Sequence, residues 1–525
     1  VHTGVVLCSA SADLKLAQEI AHLGERLREK GSTPLQCSER LLNEEPEALQ
    51  EFIAKNELQA VLVITDLSRQ SVTEALRYSV EKAGLGRLSV GYLDIKLAGS
   101  SDVGLSTVLA NLARLDRNDY VKDAVFRTAL GPAKISRRQL LRSVPRALKV
   151  ESDIPIVLQD RCTHRSTSCN YCIQACPVKV ISPTKDSVVI DDQTCIECGA
   201  CARECPLGAI QGPSVSDDQV IAVLNTLSAE DPSPEKRILL LTCPIGLERL
   251  VTEAGEDGKF RADIVPVVVP CVGAMGSIHY LWAAALGINL VTACPDASCS
   301  RISAVLPISH HLESSKKVLE NVGEISVTLQ HLTLNRTDSI SEKISQSPEA
   351  FSAKRNTKLS GSRRSMTLEA LRTLQGGSEN ALLLPADNML PFFDVTVDDN
   401  ACTFCAVCEK ECPDQAISIV KNEASLNLMF DPSACGGCKV CENVCPEDAI
   451  TVSRHKQFSE VMAGPKATKI KDENATCEVC GASLGSKQGL LVLEKRLTGA
   501  GYSPSMLKSL HICVRCKQQA FRPAK

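Results

Sequence analysis

The chain has 525 residues, 44% of them hydrophobic, which is enough for several buried cores rather than one. Aromatic residues make up 3% and the formal charge is −4, which argues against a basic or base-stacking nucleic-acid binder. The 26 cysteines are far above background, and thiolates on metal would make the chain more acidic still. From the N-terminus, "TGVVLCSA" and "QAVLVITDL" read as strands. Between them, "ADLKLAQEIAHLGERLREKG" places Leu16, Ile20, Leu23 and Leu27 on one helical face, with Gly31 as its stop, and "EALQEFIAKNEL" reads as a second helix. This predicts an α/β domain over 1–125, with Cys8 and Cys37 as core thiols. The opening residues lack a basic start followed by an apolar run, and the longest apolar region, 264–294, is broken by Pro266 and Pro270. A cytoplasmic protein without a membrane span is expected. In a reducing compartment, spaced cysteines mean metal more often than disulfide.

Residues 126–153 read as a linker. It contains "SRRQLL" (136–141), which has the look of a twin-arginine export signal but is followed by no apolar segment. A module over 154–215 follows. "RCTHRSTSCNYCIQACP" holds Cys162, Cys169, Cys172 and Cys176, and "CIECGACARECP" holds Cys195, Cys198, Cys201 and Cys205. The second run is Cys-x2-Cys-x2-Cys-x3-Cys-Pro, the spacing of bacterial two-cluster ferredoxins, in which the fourth cysteine serves the neighbouring cluster. One [4Fe-4S] cluster is therefore assigned to Cys162, Cys169, Cys172 and Cys205, and another to Cys195, Cys198, Cys201 and Cys176. The gap after Cys162 is a loop insertion, and His164 within it reads as an exposed loop residue. "VISPTKDSVVIDD" supplies two short β-runs around a turn.

Residues 236–352 read as a second α/β domain. "KRILLLTC", "ADIVPVVVPC" and "INLVTAC" are strands ending on Cys243, Cys271 and Cys294, and "GSIHYLWAAALG" is a helix that stops at Gly287. Cysteines at the C-terminal ends of parallel strands converge where open α/β sheets carry their sites. "RILLLTC", "VPCVG", "GINLVTACPDASC" and "KVLENVGEISVTL" resemble the iron-sulfur delta subunit of methyl-viologen-reducing hydrogenase. That resemblance implies a [2Fe-2S] cluster on Cys243, Cys271, Cys294 and Cys299, and a role in passing electrons from hydrogenase toward heterodisulfide reductase. The family's early Cys-x-x-Cys is reduced here to Cys243-Pro244-Ile245-Gly246, which leaves open unligated thiols or a dithiol on Cys294 and Cys299. In the first domain, "LQCSERLL", "AVLVITDL" and "EKAGLGRLSVGYLDI" resemble the N-terminal part of the heterodisulfide reductase A subunit. That family's flavin fingerprint is not matched, since "GLGRLS" (84–89) lacks the third glycine, so no flavin is expected.

Residues 353–385 are read as a linker, basic and Ser-rich in "AKRNTKLSGSRRS". A second ferredoxin module spans 390–455, with "CTFCAVCEKECP" and "CGGCKVCENVCP" both at unaltered spacing. Its clusters are assigned to Cys402, Cys405, Cys408 with Cys445, and to Cys435, Cys438, Cys441 with Cys412. A Lys- and Ser-rich stretch, 456–474, separates it from a knob at 474–520. There the pairs Cys477/Cys480 and Cys513/Cys516 predict a four-cysteine site for zinc or a single iron.

The expected architecture is multidomain α/β plus α+β: two Rossmann-like domains, two ferredoxin-like 2[4Fe-4S] modules and a zinc-ribbon-like knob. The expected function is electron transfer within a multisubunit oxidoreductase, with a hydrogenase, formate dehydrogenase, flavoprotein, heterodisulfide-reductase-like subunit or soluble ferredoxin as partner. No catalytic residue is assigned. A thiol-disulfide reductase on Cys294 and Cys299, or a redox-sensing assembly platform, is the alternative.

Overall fold

The computed structural model describes residues 3–9, 14–30, 32, 34–38, 46–65, 90–95, 102–116, 126–128, 149–163, 169–185, 187–230, 237–254, 261, 263–322, 327–344, 359–376, 384, 389–422, 424–455, 458, 461 and 467–520. His164, Gly31, "SRRQLL" and "GLGRLS" lie outside them, as do the side chains of Leu16 and Cys37. The chain divides into two compact units, Val1–Cys162 with Tyr171–Glu379, and Thr163–Asn170 with Asn380–Lys525. Among the described residues, no helix is long and apolar enough to cross a membrane.

The first unit contains two parallel four-stranded sheets. One runs Leu35–Ser38, Thr3–Ser9, Ala60–Thr65, Val90–Asp94, and the other Ile264–Val268, Ile238–Thr242, Asn289–Cys294, Leu329–Thr333. Strands Ala60–Thr65, Ile238–Thr242 and Asn289–Cys294, inside the sheets, are near-continuous buried runs, as parallel strands covered on both faces must be, whereas the edge strand Leu329–Thr333 is polar and partly exposed. On the first helix, Leu14–Glu29, the face of Ile20, Leu23 and Leu27 is buried. The two α/β regions read from the sequence as separate domains share one hydrophobic core. Val108, Leu112 and Leu115 of helix Asp102–Asp116 join Leu62 and Leu93 of one sheet to Ile264 and Val291 of the other. Asn111 of the same helix donates to the Pro266 carbonyl at 3.1 Å. The helix Asp217–Glu230 packs beside it.

Both ferredoxin-type modules have one plan: an antiparallel pair of terminal strands, a hairpin, and two one-turn helices. In the first, Ile156–Val157 pairs with Ile210–Gln211, and the expected hairpin is Ile181–Pro183 with Val188–Ile190. In the second unit, Phe393–Val397 pairs with Ile450–Arg454, and Ile417–Lys421 with Ser425–Phe430.

Three stretches differ from expectation. Within the expected linker 353–385, Arg363–Gln375 is a helix capped by Ser362, with Gly376 left-handed at its end. Met366, Ala370, Leu371 and Leu374 are buried, and Trp282 Nε1 donates to Thr367 Oγ1 at 3.2 Å. The basic Ser-rich composition masks this helix, whereas the Ser cap and apolar spacing announce it. Within 456–474, residues of strand Ala467–Thr476 pair with Ser425–Phe430 and extend the hairpin into a four-stranded sheet that also includes Ser483–Ser486. The knob is therefore joined to the second module by hydrogen-bonded strand. Within 126–153, Phe126–Thr128 pairs with Lys149–Glu151.

Candidate metal centres

Each complete Cys-x2-Cys-x2-Cys loop is a tight coil, with left-handed backbone on both sides of its middle cysteine. Glu197 and Gly199 flank Cys198 at φ 55° and 74°, Phe404 and Ala406 flank Cys405 at 55° and 63°, and Gly437 and Lys439 flank Cys438 at 68° and 62°. A non-glycine residue held there costs about 1–3 kcal/mol, and such strain collects where a site needs it. The third cysteine of each half-motif lies in a short helix: Cys172 in Tyr171–Ala175, Cys201 in Ala200–Glu204, Cys408 in Val407–Glu411 and Cys441 in Val440–Asn443.

The four Cys-Pro turns are alike. In each, the cysteine carbonyl accepts the N–H three residues on, at 3.2 Å for Cys176, Cys205 and Cys412 and 3.3 Å for Cys445. Its Sγ accepts the N–H four residues on, at 3.5, 3.2, 3.3 and 3.4 Å in the same order. Hydrogen bonds to ligand sulfur are one of the levers on a cluster's potential. The residue three on is left-handed every time: Lys179, Gly208, Gln415 and Asp448, at φ 52°, 62°, 51° and 48°.

The structure brings together cysteines from opposite half-motifs. One pocket is lined by Cys402, Cys405, Cys408 and Cys445, and another by Cys412, Cys435, Cys438 and Cys441. Ile419, Leu428 and Ile450 close the first. Cys405 is exposed and its partners are not. In the first module, burial pushes the Cys172 thiol up to about 12, reinforced by Cys205 and Cys162. Burial likewise raises Cys201 well above its ordinary range, with Cys198, Cys195 and Cys176 among its neighbours. Crowded, apolar thiols of this kind resist ionising alone and suit ligation to positive irons. Cys169 lies in the short segment grouped with the second unit.

In the second parallel sheet, Cys243 follows strand Ile238–Thr242, Cys294 ends Asn289–Cys294, and Cys271 follows Ile264–Val268. Cys271 Sγ accepts the Gly273 N–H at 3.4 Å, and Cys299 Sγ the Arg301 N–H at 3.5 Å. Burial raises Cys271 to about 12, with Cys198 and Cys243 nearby, and it raises Cys294, with Cys243 and Cys299 nearby. This region is pressed onto the first module. A Cβ on Gly273 would meet the Cys198 carbonyl oxygen at 2.5 Å, and one on Gly199 would meet Ala274 Cβ at 2.6 Å. Arg203, buried on the helix that carries Cys201, donates to the carbonyls of Gly273 and Ala304 at 2.8 and 2.6 Å. Glu204 pairs with His311 at 2.8 Å; burial would raise its carboxyl, but His311 and Arg203 hold it at about 2. Sequence reasoning missed Arg203, Glu204 and His311, because Gly273 and Ala304 lie 70 or more positions from Arg203, and His311 lies 107 from Glu204.

The Sγ atoms of Cys477, Cys480, Cys513 and Cys516 all lie within 4.8 Å of one another, with Cys480 and Cys513 at 3.7 Å. Tetrahedral zinc at about 2.3 Å from each sulfur requires sulfurs about 3.8 Å apart. Among the described residues, this quartet is the one group drawn so tightly. It fits a single ion, whereas the ferredoxin-type sets stand around larger spaces.

Two family models match the chain: a 4Fe-4S dicluster domain over residues 141–209 and a 4Fe-4S binding domain over 428–451. A ferredoxin from Alicyclobacillus acidocaldarius is 35% identical over 66 residues, 12% of this chain and 82% of that protein. The tetrathionate reductase B subunit from Archaeoglobus fulgidus is 47% identical over 47 residues, 8% of this chain, and hydrogenase-4 component A from Escherichia coli 46% over 39 residues, 7% of this chain. The chain spans 23% and 19% of the length of those two proteins. It contains two ferredoxin-type domains of the 4Fe-4S class, within a mixed α/β fold.

Proposed function

We propose, for a chain that belongs to the ferredoxin family, that it relays single electrons between redox partners as an iron-sulfur component of a multisubunit oxidoreductase. The observation that supports this best is the reciprocal pairing in the second module, where three cysteines of each half-motif share a cavity with the fourth of the other. Four [4Fe-4S] clusters, when bound, supply reversible one-electron uptake. The ligand sets are Cys162, Cys169, Cys172 and Cys205; Cys195, Cys198, Cys201 and Cys176; Cys402, Cys405, Cys408 and Cys445; and Cys435, Cys438, Cys441 and Cys412. The chain's own groups exclude water with apolar walls and donate N–H bonds to ligand sulfur. The parallel sheets are Rossmann-like in this reading. The one bearing Cys243, Cys271, Cys294 and Cys299 acts as a hydrogenase delta-subunit-like domain holding a [2Fe-2S] centre, and the C-terminal quartet holds structural zinc in a zinc-ribbon-like knob. The partners are subunits of the hydrogenase, formate dehydrogenase or heterodisulfide reductase type, met in the cytoplasm.

The test is iron, acid-labile sulfide and zinc per chain after anaerobic purification. About 18 irons and 18 sulfides with one zinc are expected, and about 16 of each would remove the two-iron centre. The thiols of Cys294 and Cys299 would then be free for dithiol chemistry. Iron far below 16 would refute the relay.

A further inference from the structure

Arg363 begins the helix that the sequence concealed, more than 150 residues from the cysteines it serves. Its side chain is 3% exposed. Nε and Nη2 form a two-pronged pair with Asp217 at 2.8 and 2.7 Å. Nη1 donates to the carbonyls of Ala202 and Cys205 at 2.7 and 2.5 Å. These carbonyls lie at the C-terminal end of helix Ala200–Glu204, where backbone oxygens lack helical partners and the helix dipole favours a cation. Cys201 and Cys205 lie on either side of that end. Asp217 is itself held by Gln211 Nε2 at 2.9 Å and faces His279 at 3.6 Å, so the assembly is fully buried and bonded.

A second observation comes from the four Cys-Pro turns. The residue three after the cysteine is left-handed in all of them, yet at Cys205 alone it is glycine, Gly208. A Cβ there would meet Asp217 Oδ2 and Gln211 Nε2 at 3.0 Å and Arg363 Cβ at 3.3 Å. The Arg363–Asp217 pair occupies the space that a side chain takes in the other three turns.

We propose that Arg363 is a positioning residue that sets the reduction potential of the first module. Its positive end faces the helix terminus shared by ligands of both clusters, with Asp217 behind it. A fixed positive charge beside a cluster favours the reduced form, which carries one more negative charge. The inference rests on reading Cys201 and Cys205 as ligands.

The experiment is a mediated redox titration followed by electron paramagnetic resonance on the whole chain, after iron has been counted. Arg363→Met is expected to keep wild-type iron, to shift the first-module potentials more negative and to leave those of the second module in place. Arg363→Lys keeps the charge but not the fork, and is expected to fall between. Should Arg363→Met fail to fold, Arg363→Met with Asp217→Asn removes both charges at near-constant volume; Arg363 stands nearer the ligands than Asp217, so a negative shift smaller than that of Arg363→Met alone is expected from it. Full iron with unmoved or more positive potentials in Arg363→Met, or in the double variant where the single one does not fold, would overturn the proposal. So would loss of first-module iron in every variant including Arg363→Lys, since the role would then be structural alone. Wild-type protein lacking first-module iron would refute the ligand reading itself, and the iron count shows this before any titration.

Discussion

The two ferredoxin-type modules have the same Cys-Pro turns, the same left-handed second loop and the same strand pairs, yet they are braced differently. The first is set into a parallel-sheet core by buried charge: Arg203 reaches Gly273 and Ala304, and Glu204 reaches His311. The second is braced by its own strands and by the knob. Ring atoms of Phe393 stand against Gly437, and the knob's helix touches the 400–403 loop through Gln488 and Gly489. Repeated cysteine spacing makes a repeated site, while the surroundings make each copy distinct. Potential depends on burial, hydrogen bonds and nearby charge, so like motifs in unlike settings need not share one.

Removing a ligand from each module tests the comparison most severely. Cys201→Ala and Cys441→Ala should each cost about four irons per chain, read by metal analysis, while the other module keeps its own. Leu371→Ala comes next. Leu371 is fully buried in the concealed helix, so the change should destabilise the first unit by about 2–5 kcal/mol and leave the second unit's denaturation midpoint where it was. An unmoved first unit would mean that the helix does not belong to its core. Glycine substitutions probe the bracing itself. Gly437→Ala drives a Cβ into the Phe393 ring at φ 68°, and Gly199→Ala drives one to 2.6 Å from Ala274 at φ 74°. Each should cost about 1–3 kcal/mol, in the second and first unit respectively, by urea titration with a probe in each. The smallest effect belongs to Arg496→Ala. Arg496 is 59% exposed against Glu447, and its loss should change second-unit stability by about 0–1 kcal/mol, weakening further in salt.

Much of the local structure was legible beforehand. The strands at 238–242, 264–268 and 289–294 appear as apolar runs, and the hairpin at 181–190 as β-branched residues around a turn. The helix at Arg363–Gln375 was hidden because two arginines and several serines read as solvated, yet Arg363 is buried against Asp217 from 146 residues away. Strand Ala467–Thr476 was hidden because it alternates half-buried and exposed polar residues and acquires its identity from pairing with Ser425–Phe430.

Cysteine spacing by itself determined the ferredoxin-type motifs and the C-terminal quartet. Each half-motif and each Cys-x2-Cys pair is a local loop recognisable by its own spacing, although a full set of four cysteines joins two such loops. Only the tertiary structure decided that the two α/β regions share one core, that Arg203 reaches from the first module into the second sheet's loops, that Arg363 belongs beside that module, and that a glycine must stand three residues after Cys205. Those facts depend on which distant surfaces are buried together. A buried cation reveals its role only once its anion and its carbonyls have been brought to it.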